Sequence, residues 1–370
     1  MDINRQILHR IACLGLTESR AKDLQKLFDE VVDWQKLIAR AEVYSVSTML
    51  LKHITEHNLS IDSSVLLQLK ALSVRHRLIA NARYRVIQEL TELFSANDIP
   101  WLALKGLALS PMIYPSEEFR PMRDMDILVP HKKAEFAADL MRENGFNIEQ
   151  EQPNKYMRNM HQLPNATKQV DGFTISIEIH HDGYTRETAG HLRFEQVVES
   201  SQMIVWRETN IMTLGHIQML HQVSRHMEGM HPGAVLKLIN VMDVVVYCEH
   251  FIDELDWHSL HKDYYHVINS LRVLHLISPL SQALQAKVGG VVDMQLNGIG
   301  EIMNSMTYAL NKRHTLREKF KLLFLPSDWW LHLYYNVPPE KSLLTTKLCR
   351  HPLRIASWLW QRVYSRILGG

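Results

Sequence analysis

Asp124 and Asp126 stand two positions apart in FRPMRDMDILV, and the apolar residues that follow read as a strand. A strand repeats its side-chain direction every two residues, so both carboxylates project from one face. Neighbouring carboxylates repel each other and are a poor choice for stability alone. They are a good choice for holding a divalent cation that prefers oxygen ligands. Further on, Phe173-Thr-Ile-Ser-Ile-Glu-Ile-His-His181 alternates apolar and polar residues, which puts Glu178 and His180 on the polar face of a second strand. Glu178 is the candidate third carboxylate. Taken alone, a solvent-facing edge with an incidental acid explains it better, and only the aspartate pair gives it weight. His180 could orient a carboxylate or touch substrate; His181 reads as packing or solvent-facing.

The elements before the pair supply the rest of a phosphoryl- or nucleotidyl-transfer site. Trp101 to Leu104 reads as a buried strand, Lys105-Gly106 as a turn, and Leu107, Leu109, Met112 and Ile113 as a helix. A glycine at a strand-to-helix turn lets backbone N–H groups approach a triphosphate without an intervening side chain. Lys105, Arg120 and Arg123 could neutralise polyphosphate charge. Mg²⁺ would complete its shell with carboxylates, water and substrate phosphates, and two-metal sites hold their ions about 3.5–4 Å apart. An isolated D-x-D is a weak signal. The order strand, KG, helix, R-x-x-R-D-x-D strand and later glutamate strand is more specific.

Around this core the chain is expected to be helical. Residues 1–96 form an N-terminal lobe, with Thr17 as an N-cap and a long helix from Ser63 or Ser64 to about Phe94. That lobe reads as packing or substrate-covering. The α/β core spans 97–205, and a helical domain follows over 206–335. Its helices run from Ile211 to about His231, from Val235 to Cys248, from Asp256-Trp257 to about Val267, and onward to about 325. The tail, 336–370, holds Lys341, Lys347, Arg350, Arg354, Arg362 and Arg366, with no acid beyond Glu340. Ile355, Leu359, Val363 and Ile367 line one face of its helix. A docked terminal helix with solvated arginines is the favoured reading, and peripheral contact with an anionic membrane the other.

Composition narrows the function classes. The 370 residues are 46% hydrophobic and 22% charged, as expected of a globular chain, and the net charge of +1 argues for no nucleic-acid surface. Three widely spaced cysteines argue against a disulfide framework and suit a reducing cytoplasm. No signal peptide or transmembrane helix is expected, which gives a cytoplasmic localisation. His216, His221, His226 and His231 step by five, about 140° each time, and so share no helical face. HExxH, GxSxG and GxxxxGK[ST] are all missing.

The segment LKGLALSPMIYPSEEFRPMRDMDILV, the helix ending in NGF and the strand ISIEIHHD resemble an uncharacterised bacterial family. It belongs to the DNA polymerase β-like nucleotidyltransferase superfamily. The resemblance extends over about 85–345. It implies an α+β fold: a small mixed β-sheet core flanked by N-terminal and C-terminal helical lobes. It also implies that Gly106 lies in the phosphate-side turn, that Asp124, Asp126 and Glu178 hold two Mg²⁺ ions, and that an NTP such as ATP donates a nucleoside monophosphate. The acceptor is not specified. Many active superfamily members carry Gly-Ser after the first strand, whereas this chain has Gly106-Leu107, with Ser110 a helical turn further on. The alternative is a catalytically inactive nucleotide-binding or regulatory protein that retains the fold.

Overall fold

The computed structural model describes residues 2–148, 162–183, 191–228, 237–291, 315, 317, 320 and 323–368, excepting the side chains of 228, 358 and 361–368. The chain forms two compact units, Met1–Gln222 and Val223–Gly370.

The first unit begins with helices. They are α1 (Ile3–Arg10), α2 (Glu18–Asp29), α3 (Trp34–Val43), α4 (Ser47–Glu56) and α5 (Ser63–Ser95). Thr17, Asp33 and Asp62 each accept a backbone N–H from the first turn of α2, α3 and α5. Apolar residues at helical spacing bury one face of α5, among them Leu69, Val86, Ile87, Leu90 and Phe94. β1 (Leu102–Leu104) leads directly into α6 (Lys105–Ile113), then β2 (Asp124–Leu128), α7 (Ala134–Glu143) and β3 (Asn147–Ile148). Gly145, at φ 83°, ends the α7 segment in the left-handed conformation glycine adopts most readily.

β4 (Ala166–Val170) and β5 (Phe173–His180) form a hairpin across Asp171-Gly172, at φ 52° and 79°. This two-residue turn matches the twist of the flanking strands. β4 was expected only as a polar segment. It alternates weakly and lies beside a more apolar partner, so pairing rather than propensity makes it a strand.

A second correction falls after residue 201. α8 (Phe194–Val197) precedes β6 (Gln202–Trp206) and β7 (Thr209–Thr213), and α9 (His216–Glu228) starts only after Gly215. The helix expected from Ile211 therefore begins later, and Ile211 is in a strand. The period of two was present: Ile204, Trp206 and Ile211 are buried, while Met203, Val205 and Met212 are exposed. Trp206 Nε1 and Arg207 Nε donate to Glu117 at 2.8 and 2.9 Å, anchoring the hairpin to the loop before β2.

The seven strands among the described residues run β3-β4-β5-β2-β1-β7-β6. β2 and β5 pair in parallel, as do β1 and β7, and the other neighbours are antiparallel. The fold is thus the mixed α+β arrangement expected, with helices on both sides of the sheet in sequence.

The second unit is helical: α10 (Leu238–His250), α11 (Trp257–Asp263), α12 (Tyr265–Leu274), α13 (Gln282–Lys287), α14 (Asp328–Tyr334) and α15 (His351–Leu368). A helix follows Asp256-Trp257 as expected, with Asp256 as its cap, but it stops at Asp263 and α12 restarts at Tyr265. The Pro232-Gly233 break, His231 and the helices expected over 292–314 lie outside the described residues. No helix among the described residues is long and apolar enough to cross a membrane.

Candidate active site

The register of three central strands assembles the site. β1 places Leu104 opposite Asp126, so Lys105 follows immediately beside that carboxylate. On the other side of β2, parallel pairing sets Asp126 against Glu178 and Leu128 against His180. Adjacent strands lie about 4.8 Å apart, whereas residues i and i+2 along one strand are separated by roughly 6.6 Å. Asp126 is therefore closer to Glu178 on the neighbouring strand than to Asp124 on its own.

The side chains follow that geometry. Lys105 Nζ donates to Asp126 Oδ1 at 2.6 Å, and His180 Nε2 donates to the same oxygen at 2.8 Å. His180 Nε2 also lies 3.5 Å from Glu178 Oε2. One ligand atom from each of Asp126, Glu178 and His180 falls within 4.8 Å of the others, and Asp124 is not part of that group. His180, expected to orient a carboxylate or touch substrate, contacts the central carboxylate. His181 packs edge-on against His131, with ring centroids 4.6 Å apart.

Electrostatics locks the central pair. Burial by itself would raise the Asp126 pKa, but the Lys105 ammonium and the His180 hydrogen bond outweigh it and hold the carboxyl far below the usual range. Burial would likewise lower the Lys105 pKa, yet Asp126 first, then Glu178 and Asp124, raise it. Lys105 also carries a left-handed backbone, φ 47°, which is rare for a side-chain-bearing residue. The strained position of the turn is the lysine, and its ammonium is held at the carboxylates.

Gly106 makes a close approach to a side chain, that of Arg120. A Cβ there would lie 2.9 Å from Arg120 Nη1, 3.0 Å from its Cζ and 3.1 Å from Nη2. The missing side chain makes room for the buried Arg120 guanidinium over the first turn of α6. Leu104, at the helix N-cap, offers no side-chain acceptor, so the first amides of α6 have no side-chain cap. Arg120 Nη1 donates to the Pro121 carbonyl at 3.0 Å. Arg123 is exposed.

Arg83 was missed by sequence reasoning. It lies on α5, in the lobe read as packing, and its guanidinium is buried and donates to the Met122 carbonyl. Burial pushes its pKa down to about 10, with the neighbouring Arg120 acting in the same direction and Asp124 opposing. Asp124 thus acts on Arg83 as well as on Lys105. An arginine at an otherwise apolar position of the helical pattern, between Ala82 and Val86, was the available signal.

The donor set fits a divalent cation. Two carboxylates on adjacent strands share a face with a histidine, and the ammonium already drawn in among them shows that the cluster attracts positive charge.

A mixed sheet that sets paired carboxylates beside a strand-to-helix turn is the architecture of a nucleotidyltransferase-like protein. Residues 30–284 match the family described as uncharacterised nucleotidyltransferase, and the chain belongs to that family. Membership implies an NTP substrate and a divalent cation. No curated protein matches the chain.

Proposed function

We propose that this protein transfers a nucleoside monophosphate from an NTP to an acceptor in a Mg²⁺-dependent reaction. The single observation that carries the reading is the register of Asp126 against Glu178, beside Lys105 and the start of α6. Asp126 and Glu178 would hold the metal, with Asp124 as a carboxylate at the rim. When bound, Mg²⁺ polarises phosphate oxygens and offsets the charge that develops during transfer.

The chain's own residues supply the remainder. An acceptor oxygen attacks the α-phosphorus, the bond from that phosphorus to the α–β bridging oxygen breaks, and pyrophosphate leaves. Glu178 takes the acceptor's proton, because Asp126 Oδ1 stays engaged by His180. Lys105 turns from Asp126 towards the phosphates, and Arg120 with the α6 amides holds the polyphosphate. Arg83 offsets the charge of Asp124 and ties down the Met122 carbonyl in the loop before it. Exposed Arg123 meets the substrate at the entrance.

The test uses NTPs labelled at the α-phosphorus, with Mg²⁺ and a cell extract as acceptor source. Label transferred with pyrophosphate release, and lost in Glu178→Gln, is the expected result. Transfer that survives Glu178→Gln overturns the assignment of the base.

A second reading has its own observation: Asp126 Oδ1 already accepts from both Lys105 and His180. A cluster satisfied in this way suits a non-catalytic protein that binds nucleotide without turnover. Nucleotide binding with no transfer in any extract would favour it.

The C-terminal segment also supports peripheral contact with anionic lipid. Ile355 is fully buried, as a docked helix requires, while Leu344, Leu348 and Leu353 are 64%, 68% and 69% exposed among Lys347, Arg350 and Arg354. Co-sedimentation with phosphatidylserine vesicles, reduced in Leu348→Ser and absent with neutral vesicles, is the expected outcome. Equal binding to neutral vesicles contradicts it.

A further inference from the structure

A second cluster of ligating side chains lies on α4, a helix that the nucleotidyl-transfer reading does not use. The sequence there is His53-Ile-Thr-Glu-His57, which places His53, Glu56 and His57 at i, i+3 and i+4, neighbours on one helical face. One ligand atom from each lies within 4.8 Å of the others. Two imidazoles and a carboxylate make a mixed nitrogen–oxygen set, which suits a borderline first-row cation better than Mg²⁺.

His53 carries the argument. Its side chain is 0% exposed, and its Nε2 donates to the Cys13 carbonyl at 2.9 Å. A carbonyl only accepts, so the hydrogen is on Nε2 and the Nδ1 lone pair is left over. That Nδ1 is buried and makes no hydrogen bond. A buried acceptor without a partner is a rare and unfavourable feature. The pattern is that of a metal-ligating histidine, whose outer nitrogen is fixed by a backbone carbonyl while the other faces the ion.

We propose that His53, Glu56 and His57 form a site for a zinc-class divalent cation, separate from the carboxylate cluster around Asp126. His53 Nδ1, a Glu56 carboxylate oxygen and a His57 ring nitrogen are its three protein ligands. Glu56 is exposed and His57 partly so, which leaves the remaining position to water. Lys52 Nζ lies 2.5 Å from Glu56 Oε2 and competes with the ion for that carboxylate. Lys52 also donates to the Leu14 carbonyl at 2.7 Å, a contact that stays available when the ion takes Glu56.

The experiment titrates the full-length, untagged, metal-stripped protein with Zn²⁺ in excess Mg²⁺, by calorimetry and by bound-metal analysis. The wild type and Asp126→Asn should each bind one equivalent of Zn²⁺. His57→Ala should weaken that binding by more than about 100-fold, since even outer-shell changes cost 10–100-fold. Glu56→Gln, a near-isosteric change at an exposed position, should weaken it as well and keeps the test open should His57→Ala misfold. No Zn²⁺ binding by the wild type, or binding unchanged in both α4 variants, overturns the proposal. Binding lost in Asp126→Asn but kept in the α4 variants also overturns it, because the ion would then sit at the carboxylate cluster. The result is independent of whether the protein transfers nucleotides.

Discussion

Replacing Lys105 or Asp126 singly should destabilise the protein far more than replacing both. The two side chains are only 14% and 7% exposed and lie 2.6 Å apart, so removing one partner leaves the other as a charge in a poorly solvated site. Breaking a buried pair costs about 3–5 kcal/mol, whereas replacing both members by neutral residues is often close to neutral. Asp126→Asn should fall at the lower end of that range, because Glu178 remains to receive part of the ammonium's field. Lys105→Met should fall at the upper end, since it leaves Asp126 with His180 alone. Methionine keeps the strain of φ 47° at position 105, so the backbone contribution cancels in the comparison. The assay is urea unfolding of the wild type, both single variants and the double variant, with hydrogen exchange of β1, β2 and β5 as a local readout. A coupling energy of about 2 kcal/mol or more is expected. Single changes that each cost less than about 1 kcal/mol, or that simply add in the double variant, would refute the buried-pair account.

Other outcomes follow from neighbouring geometry. Gly106→Ala should destabilise by about 1–3 kcal/mol, because its Cβ would meet three atoms of the Arg120 guanidinium at 2.9–3.1 Å. The penalty should shrink when Arg120→Ala is added, and a penalty of equal size in that background would show that the guanidinium is not what the glycine accommodates. Acid should also weaken the helical lobe. Burial lowers the pKa of both His9 and His53 to about 4, so unfolding takes up protons between about pH 6.5 and 4. Stability is then fully present above about 6.5 and falls as the pH drops towards 4, by at most about 3 kcal/mol per histidine. A urea midpoint that stays constant from pH 7 to 4.5 would contradict both shifts.

The central strands were legible because each carries its own signal. Leu102–Leu104 is a short apolar run, β2 begins with alternating carboxylates, and β5 alternates without a break over eight residues. The cap at Thr17 was legible for a similar reason, since a capping side chain and its amide partner are close in sequence. β4 and the β6–β7 hairpin were not, because a strand's half-buried face is decided by neighbours distant in sequence. The site divides along the same line. Asp126, Glu178, His180 and Lys105 were named from strand phase and local order, and strand register brings them together. The greater distance of Asp124 from the cluster and the presence of Arg83 beside Arg120 depend on register and on helix docking. Neither is encoded within a short window. Gly106 was read as the close-approach position for a phosphate, and the group beside it in the structure is a guanidinium supplied by a residue further along the chain.

The most direct measurement is calorimetry with a non-hydrolysable NTP, run with and without Mg²⁺ on the wild type, Asp124→Asn, Asp126→Asn and Glu178→Gln. The account predicts Mg²⁺-dependent binding that is lost in Asp126→Asn and Glu178→Gln and only weakened in Asp124→Asn, as the register of Asp126 against Glu178 requires. Binding that ignores Mg²⁺ and survives both of the first two changes would contradict it.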